Sequence, residues 1–384
     1  MKTLSDINVD NKIVLLRVDY NVPMTDDGAV ADCSRIIETK PTIQYLRDHG
    51  AKVVLLAHFG RPQGQVHETD RLRPIISAVS ATLGVTVSYV DDCIGPKPKA
   101  AISQLQPGDV VLLENVRFYP GEESNDPAFA KQLAELGEVY VNDAFGAAHR
   151  AHASTAGIAQ YLPHAAGLLM QREVTELTTV LQHPIHPVVA IIGGAKISTK
   201  IDLITNLLPK VDYVLLGGAL ANTVLLAQNH QIGKSLVEAE LAATVKDLLS
   251  NKLKVPVDVV VAKAVAEKSP KRVVSLGAVA ADDYIVDIGP DTVRVYEDCI
   301  RQAKTIIWNG PMGVFELEAF AMGTYHIAKL VADSEAYSIL GGGETVSAVK
   351  KVGLEQSINF ISTGGGAMLE FLEGKILPGI VALD

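Results

Sequence analysis

The chain has 384 residues, 48% of them hydrophobic and 20% charged, with 31 Gly and 18 Pro; this excludes collagenous, low-complexity and disordered classes and supplies apolar material for two domains or more. Thirty-four Lys and Arg against 44 Asp and Glu give a formal charge of −10, a field that repels nucleic acid and anionic membranes, so a bound polyanion must meet a local basic patch. The three cysteines, Cys33, Cys93 and Cys299, are widely spaced and form no C-x-x-C pair, which argues against a disulfide framework or thiolate zinc site and for a reducing compartment.

Residues 1–12 carry Asp6 and Asp10 where a signal peptide needs an apolar stretch, and no later run reaches the ~20 apolar residues of a membrane span. A soluble cytoplasmic protein is expected. Short runs rich in Val, Ile and Leu then recur at residues 12–18, 52–57, 86–90, 109–113 and 138–142, with helix-like segments at 36–47, 74–83 and 127–136. This is the rhythm of a parallel sheet covered on both faces. Residues 168–182 have good helix formers and end at His183-Pro184-Ile185-His186-Pro187, whose prolines oppose continuation. Apolar runs resume at 188–192, 211–216, 257–261, 304–308, 337–340 and 358–361, alternating with helix-like 199–208, 219–228, 237–249 and 319–331. The fold class read from this is α/β: two similar-sized Rossmann-like domains, each a parallel sheet covered by helices. No coiled-coil seam argues for assembly, so a monomer is the default.

Glycine clusters follow the later strands directly at Gly193-Gly194, Gly217-Gly218, Gly341-Gly342-Gly343 and Gly364-Gly365-Gly366. One such cluster serves a tight turn; four in one domain point to bare backbone N–H groups meeting a phosphate at helix starts. Gly233-Lys234-Ser235 ends like a P-loop, but the leading position is Gln228 and the preceding segment reads helical. The absence of G-x-G-x-x-G after a strand disfavours a dinucleotide dehydrogenase. In the first half, Arg17, Arg35, Arg61, Arg117 and Arg150 fall at strand ends or in loops. Each alone reads as a solvated surface arginine; together, beside Asp19, Asn21 and His58, they suit a small polyanion. His58, His149 and His152 lack metal-ligand spacing and read as contact residues. Lys196 and Lys200 sit four apart, a solvated helix face or two ammonium groups aimed at phosphates. Glu344 reads either as a helix-start carboxylate or as a Mg²⁺ ligand.

At this point the motifs resemble one family. Arg17-Val18-Asp19-Tyr20-Asn21-Val22-Pro23, His58-Phe59-Gly60-Arg61-Pro62, Leu113-Glu114-Asn115-Val116-Arg117-Phe118, Asn142-Asp143-Ala144-Phe145 and His149-Arg150-Ala151-His152 are similar to phosphoglycerate kinases. So are Gly193-Gly194-Ala195-Lys196, the run from Trp308 to Glu316, Gly341-Gly342-Gly343-Glu344-Thr345 and Ser362-Thr363-Gly364-Gly365-Gly366-Ala367. The resemblance covers essentially the whole chain. It implies a two-lobed enzyme with a cleft between the lobes, transferring a phosphoryl group reversibly from 1,3-bisphosphoglycerate to ADP with Mg²⁺ after hinge closure. The domains implied are 1–167 for 3-phosphoglycerate, a 168–184 helix and linker, 185–366 for the nucleotide, and 367–384 returning to the first.

By the same likeness Asp19, Asn21, Arg35, His58, Arg61, Arg117 and Arg150 hold the glycerate ligand. Lys200, Glu316, Gly342, Gly343, Glu344 and Thr345 hold the nucleotide, and Glu344 ligates the metal. Arg35, Lys196, Gly342 and Gly365 surround the transferred group. Four places depart from the pattern: Tyr20 for Phe, Phe59 for Leu, Ala219-Leu220-Ala221-Asn222 for a Gly-Met-Ala-aromatic run, and Glu344 for Asp. The rival reading is a two-lobed small-anion-binding protein without catalysis. The last residues, 377–384, with Pro378 and Gly379, are expected to be extended.

Overall fold

A computed structural model describes residues 1–384. The chain divides into two compact units, Met1–Thr175 with Ile376–Asp384, and Glu176–Lys375. The boundary falls inside the helix Leu168–Gln182, and the second unit runs on to Lys375.

In the first unit six strands, β1 (Ile13–Arg17), β2 (Lys52–Leu56), β3 (Val87–Val90), β4 (Val110–Leu113), β5 (Val139–Asn142) and β6 (His164–Ala166), form one sheet in the order β3-β4-β2-β1-β5-β6. Every pairing is parallel. Val14, Leu15 and Leu16 are fully buried, as are Val53 to Leu56, because helices such as Ser34–Asp48 and Ile76–Leu83 bring apolar side chains onto the sheet. Register pairs Arg17 with Leu56 on one side and Asn142 on the other, so the carboxyl ends of three strands finish at one edge. Asp19, Asn21, His58 and Asp143 follow immediately beyond it.

The second unit carries β7 (Val188–Ile192), β8 (Tyr213–Leu216), β9 (Leu253–Lys254), β10 (Asp258–Ala262), β11 (Lys271–Ser275), β12 (Tyr284–Ile288), β13 (Thr305–Asn309), β14 (Tyr337–Gly341) and β15 (Phe360–Ile361). Six of them form a parallel sheet in the order β15-β14-β13-β7-β8-β9. Asn309 pairs with both Gly341 and Ile192, which sets Gly193, Gly310 and Gly342 along one strand-end edge.

Several expectations need correction. The run at 257–261 belongs to a separate antiparallel sheet, β11-β10-β12, rather than to the parallel rhythm. Residues 237–249 make only a 3-10 turn, Ala239–Leu241, and one α turn, Ala242–Lys246. Only Val245 there is buried, and Glu238 is drawn away to Ser198, accepting from its N–H at 2.9 Å and its hydroxyl at 2.6 Å. Lys196 and Lys200 do not share a helix face: Lys196 is extended, φ −127° and ψ 127°, ahead of the 3-10 turn Ile197–Thr199. The C-terminus is not extended either. Pro378–Val381 is a helical turn, whose Gly379 N–H donates to Ala148 O at 2.9 Å while Leu383 O accepts from the Lys2 N–H at 2.7 Å. An ion pair of 2.7 Å joins the Met1 ammonium to the Asp384 carboxylate.

Candidate active site

In the first unit, Arg35 Nη1 lies in the first turn of Ser34–Asp48 and donates to Asp19 Oδ2 at 2.8 Å and to Asn21 O at 3.2 Å. Asn21 Oδ1 accepts from Gly60 N–H at 3.0 Å, and Gly60 O accepts from Arg117 Nη1 at 3.0 Å. One continuous hydrogen-bonded chain thus links the loops after β1, β2 and β4. His58, two residues beyond β2 and buried, receives a hydrogen bond from Arg17 Nη2 on Nδ1 at 3.0 Å. Arg61 follows Gly60 and is exposed, as is Arg150, whose Nε donates to His149 Nε2 at 3.3 Å. Arg17 proves to be a core residue with no exposed surface.

The electrostatics show that these groups converge. Burial first, then the charges of Arg17, Arg117 and Arg35, holds His58 far below the usual imidazole range. His152 falls to about 4 through burial and the charges of Arg117, Arg17 and Arg150. Burial and Arg17 even lower Arg117. Positive groups that depress one another at a strand-end edge form a field whose natural complement is a multiply charged anion.

The second unit holds a pocket of about 440 Å³ with Gly194, Gly218 and Gly313 in its lining, apolar walls from Leu236, Pro256 and Val314, and Glu316 and Glu344 among the lining carboxylates. The glycine after β7 is required by a close approach: a Cβ on Gly193 would fall 2.0 Å from Pro311 O. Gly342, with φ +92°, caps the helix Gly343–Lys351 in a conformation that L side chains rarely adopt, and Gly365 leads the helix Gly366–Leu372. Glu344 is exposed in the first turn of its helix. Lys196 is exposed, whereas Lys200 is buried and its ammonium donates to Asn309 Oδ1. Burial lowers Lys200 to about 8, opposed by the charges of Glu344 and Glu373. Thr345 is buried, with its hydroxyl accepting from Gly310 N–H at 2.7 Å, so it fastens the loop after β13.

The apolar pocket walls, including Leu236, Pro256 and the β12 residues Tyr284 and Val286, were not singled out by sequence. The available signal was the short apolar run Tyr284-Ile285-Val286, broken only by Asp287 before Ile288. Two of the departures noted above are held locally: the Tyr20 hydroxyl is buried against Thr39 Oγ1 at 2.9 Å, and Asn222 Nδ2 donates to Leu236 O at 3.0 Å while its buried Oδ1 has no partner. The chain contains no cluster of three His, Cys, Asp or Glu able to hold a metal ion. The carboxylates of the pocket lining, Glu344 among them, form no ready-made cage and suit Mg²⁺ that arrives already ligated by phosphates and water.

A family model described as phosphoglycerate kinase matches residues 4–375. The chain belongs to the phosphoglycerate kinase family. It is 53% identical over 387 residues to a phosphoglycerate kinase of Moorella thermoacetica, covering 99% of this chain and 98% of that one. A Herpetosiphon aurantiacus phosphoglycerate kinase is 51% identical over 389 residues, covering 100% and 99%. Among solved structures, phosphoglycerate kinase from Coxiella burnetii superposes with a TM-score of 0.89 at 43% identity, covering 99% of this chain and 98% of its own. The enzyme from Pyrococcus horikoshii OT3 gives 0.88 at 35% identity, covering 100% and 98%. Membership makes the chain a phosphotransferase, and the doubled parallel α/β architecture is the family's.

Proposed function

We propose that this phosphoglycerate kinase family member transfers a phosphoryl group reversibly between 1,3-bisphosphoglycerate and ADP, using the first unit for the glycerate and the second for the nucleotide. The observation that carries the assignment is the self-repelling positive cluster around His58 and His152, which an anion would relieve. Asp19, Asn21, Arg35, His58, Arg61, Arg117 and Arg150 bind the glycerate. Lys200, Glu316, Gly342, Gly343, Glu344 and Thr345 serve the nucleotide, Thr345 by fixing the Gly310 loop. No general base is needed, because the accepting carboxylate of 3-phosphoglycerate is already ionised.

The chemistry asks for in-line positioning, charge neutralisation and exclusion of water. Arg35, Lys196 and the N–H groups at the helix starts beyond Gly342 and Gly365 meet the moving group's charge. Ligands carried on two units must be brought together for transfer, which also dries the reacting centre. Glu344 would hold Mg²⁺ directly or through water, and the ion would supply neutralisation of the nucleotide phosphates' charge. We assign a cytoplasmic monomer: the cysteines are unpaired, no helix is long and apolar enough to cross a membrane, and each unit buries its own core.

A coupled assay should show ATP formed from ADP and 1,3-bisphosphoglycerate; no turnover would favour an anion-binding protein. Glu344→Gln should raise the Mg²⁺ concentration for half-maximal activity while Glu344→Asp retains most activity. An unchanged Mg²⁺ dependence in the Gln variant would leave Glu344 as a helix-start carboxylate contributing ~0.3–1 kcal/mol.

A further inference from the structure

Behind the glycerate-binding edge lies a buried polar network that the transfer reaction as derived above does not use. Glu122, in the short helix Pro120–Glu123, is fully buried. Its Oε2 accepts from Ser154 N–H at 2.9 Å and its Oε1 from the Ser154 hydroxyl at 2.6 Å. Since that hydroxyl spends its proton on Glu122, its oxygen is left as an acceptor, and Arg17 Nε donates to it at 2.8 Å. The guanidinium is held at two further points, Nη1 donating to Val18 O and Nη2 donating to His58 Nδ1 at 3.0 Å. Arg17, Glu122 and Ser154 have no exposed surface.

Donor direction decides the state of the last member. Guanidinium only donates, so His58 Nδ1 accepts, and a neutral ring must carry its proton on Nε2. A second proton, on Nδ1, would point at Arg17. The only ring hydrogen bond is the one at Nδ1, and Nε2 is not among the enclosed unpartnered atoms, so it keeps contact with solvent although His58 as a whole is only 6% exposed. The ring thus has one nitrogen engaged by the protein and presents the other as an uncommitted donor.

We infer that Glu122, Ser154 and Arg17 are positioning residues that lock His58 as its Nε2–H tautomer and aim that N–H at an anionic oxygen of the glycerate ligand. The inference rests on the assignment of His58 to the glycerate site. The charged and titratable groups that act on the ring are Arg17, Arg117, Arg35 and His152, all but the last permanently cationic. They discourage imidazolium, so without the Arg17 bond the ring would divide between two neutral tautomers, one of which offers a lone pair to an anion.

Histidine ¹⁵N NMR on the full-length chain reads the tautomer directly, with His58→Ala identifying the resonance. The wild type should show a single Nε2-protonated ring. Ser154→Ala, and the charge-balanced Arg17→Met/Glu122→Gln double variant, which leaves no buried charge alone, should mix the tautomers. Both should raise KM for 3-phosphoglycerate roughly 3- to 30-fold while KM for ATP stays unchanged, a loss between that of a neutral hydrogen bond and that of one to a charged group, because the ring still offers the productive tautomer part of the time. A purely structural role would lower the melting temperature without moving the tautomer. An Nδ1-protonated wild-type ring, or variants with wild-type tautomer and KM, would overturn the positioning role and leave the His58 assignment intact. An unchanged KM in His58→Ala would instead overturn that assignment, and the ligand half of the inference with it.

Discussion

Replacing Gly193 by Ala tests whether the close packing of glycine turns at the second unit's strand ends shapes the proposed nucleotide site. The new Cβ would lie 2.0 Å from Pro311 O and 2.7 Å from Gly310 O, against at least 3.4 Å for ordinary contact. The Gly310–Pro311 loop or the end of β7 must therefore give by about 1.4 Å. That loop is held on several sides: Gly193 N–H donates to Asn309 O at 2.9 Å, Gly194 N–H to Pro311 O at 3.1 Å, Trp308 Nε1 to Gly310 O at 2.9 Å and Gly310 N–H to Thr345 Oγ1 at 2.7 Å. Overpacking against such a loop costs ~1–3 kcal/mol, and a misplacement near 1 Å in a site costs ~10²-fold in rate. Steady-state kinetics with each substrate varied in turn, beside calorimetric unfolding, should show kcat/KM for ATP reduced by about two orders of magnitude, KM for 3-phosphoglycerate unchanged, and a modestly lower Tm. Gly353→Ala is the control, since a Cβ there meets nothing within 4 Å and only the φ of +68° is strained; it should lose ~1 kcal/mol of stability and no nucleotide affinity. Near wild-type kinetics in Gly193→Ala would show that this close approach does not shape the nucleotide site.

Arg35→Ala should lower turnover ~10²-fold or more with little change in ADP affinity by titration, because its Nη1 is tied to Asp19 at 2.8 Å in the first unit; normal turnover would remove Arg35 from the transfer step. Deleting residues 379–384 strips out fully buried Leu383, the Gly379 to Ala148 bond and the Met1 to Asp384 ion pair. Urea unfolding should show a loss of ~2–5 kcal/mol together with lower turnover, whereas unchanged values would make the tail a frayed end. Asp287 is buried, and burial raises its carboxyl to about 7, against the pull of hydrogen bonds from Gly323 and Ile288 N–H. The native state then keeps a proton that the unfolded chain releases, so the associated stability is complete below pH ~4 and is lost as pH rises through 7, a few kcal/mol in all. Unfolding free energies from pH 5 to 8 should therefore fall more steeply for the wild type than for Asp287→Asn; parallel curves would refute the shifted carboxyl.

The parallel strands were legible because a strand buried on both faces has to be continuously apolar, as Val14 to Leu16 and Val188 to Ile192 are. Strands that break that rule escaped: β6 is only His164-Ala165-Ala166, and Lys271, Arg272 and Val273 of β11 are exposed. The helix Pro290–Gln302 was also missed, although its buried Thr292, Tyr296, Cys299 and Ile300 recur at helical spacing and Pro290 marks its first turn. Residues 237–249 show the opposite error, where composition favoured a helix but Glu238 bonds to Ser198 instead. At the candidate site, proximity to a strand end made the placement of Asp19, His58 and the glycine turns readable. Which arginine lines the site and which lies in the core was not readable. Arg17 is buried by partners 41 and 137 positions away, and Lys200 by Asn309, 109 positions away. Pairings of that range are made only by the closed fold.

The joining of Met1 to Asp384 within one unit has a consequence for synthesis. The unit made first on the ribosome is the one completed last: its sheet ends at Ala166, but Ile376–Asp384 must arrive before Leu383 can be buried in that unit and Gly379 can reach Ala148. The second unit is a single uninterrupted segment, so all of its chain is available while the first unit still lacks its closing turn. Until Ile376–Asp384 has been made and docks, the first unit carries an apolar seat with nothing in it. That interval is when it is open to chaperones, to wrong partners and to another chain's tail.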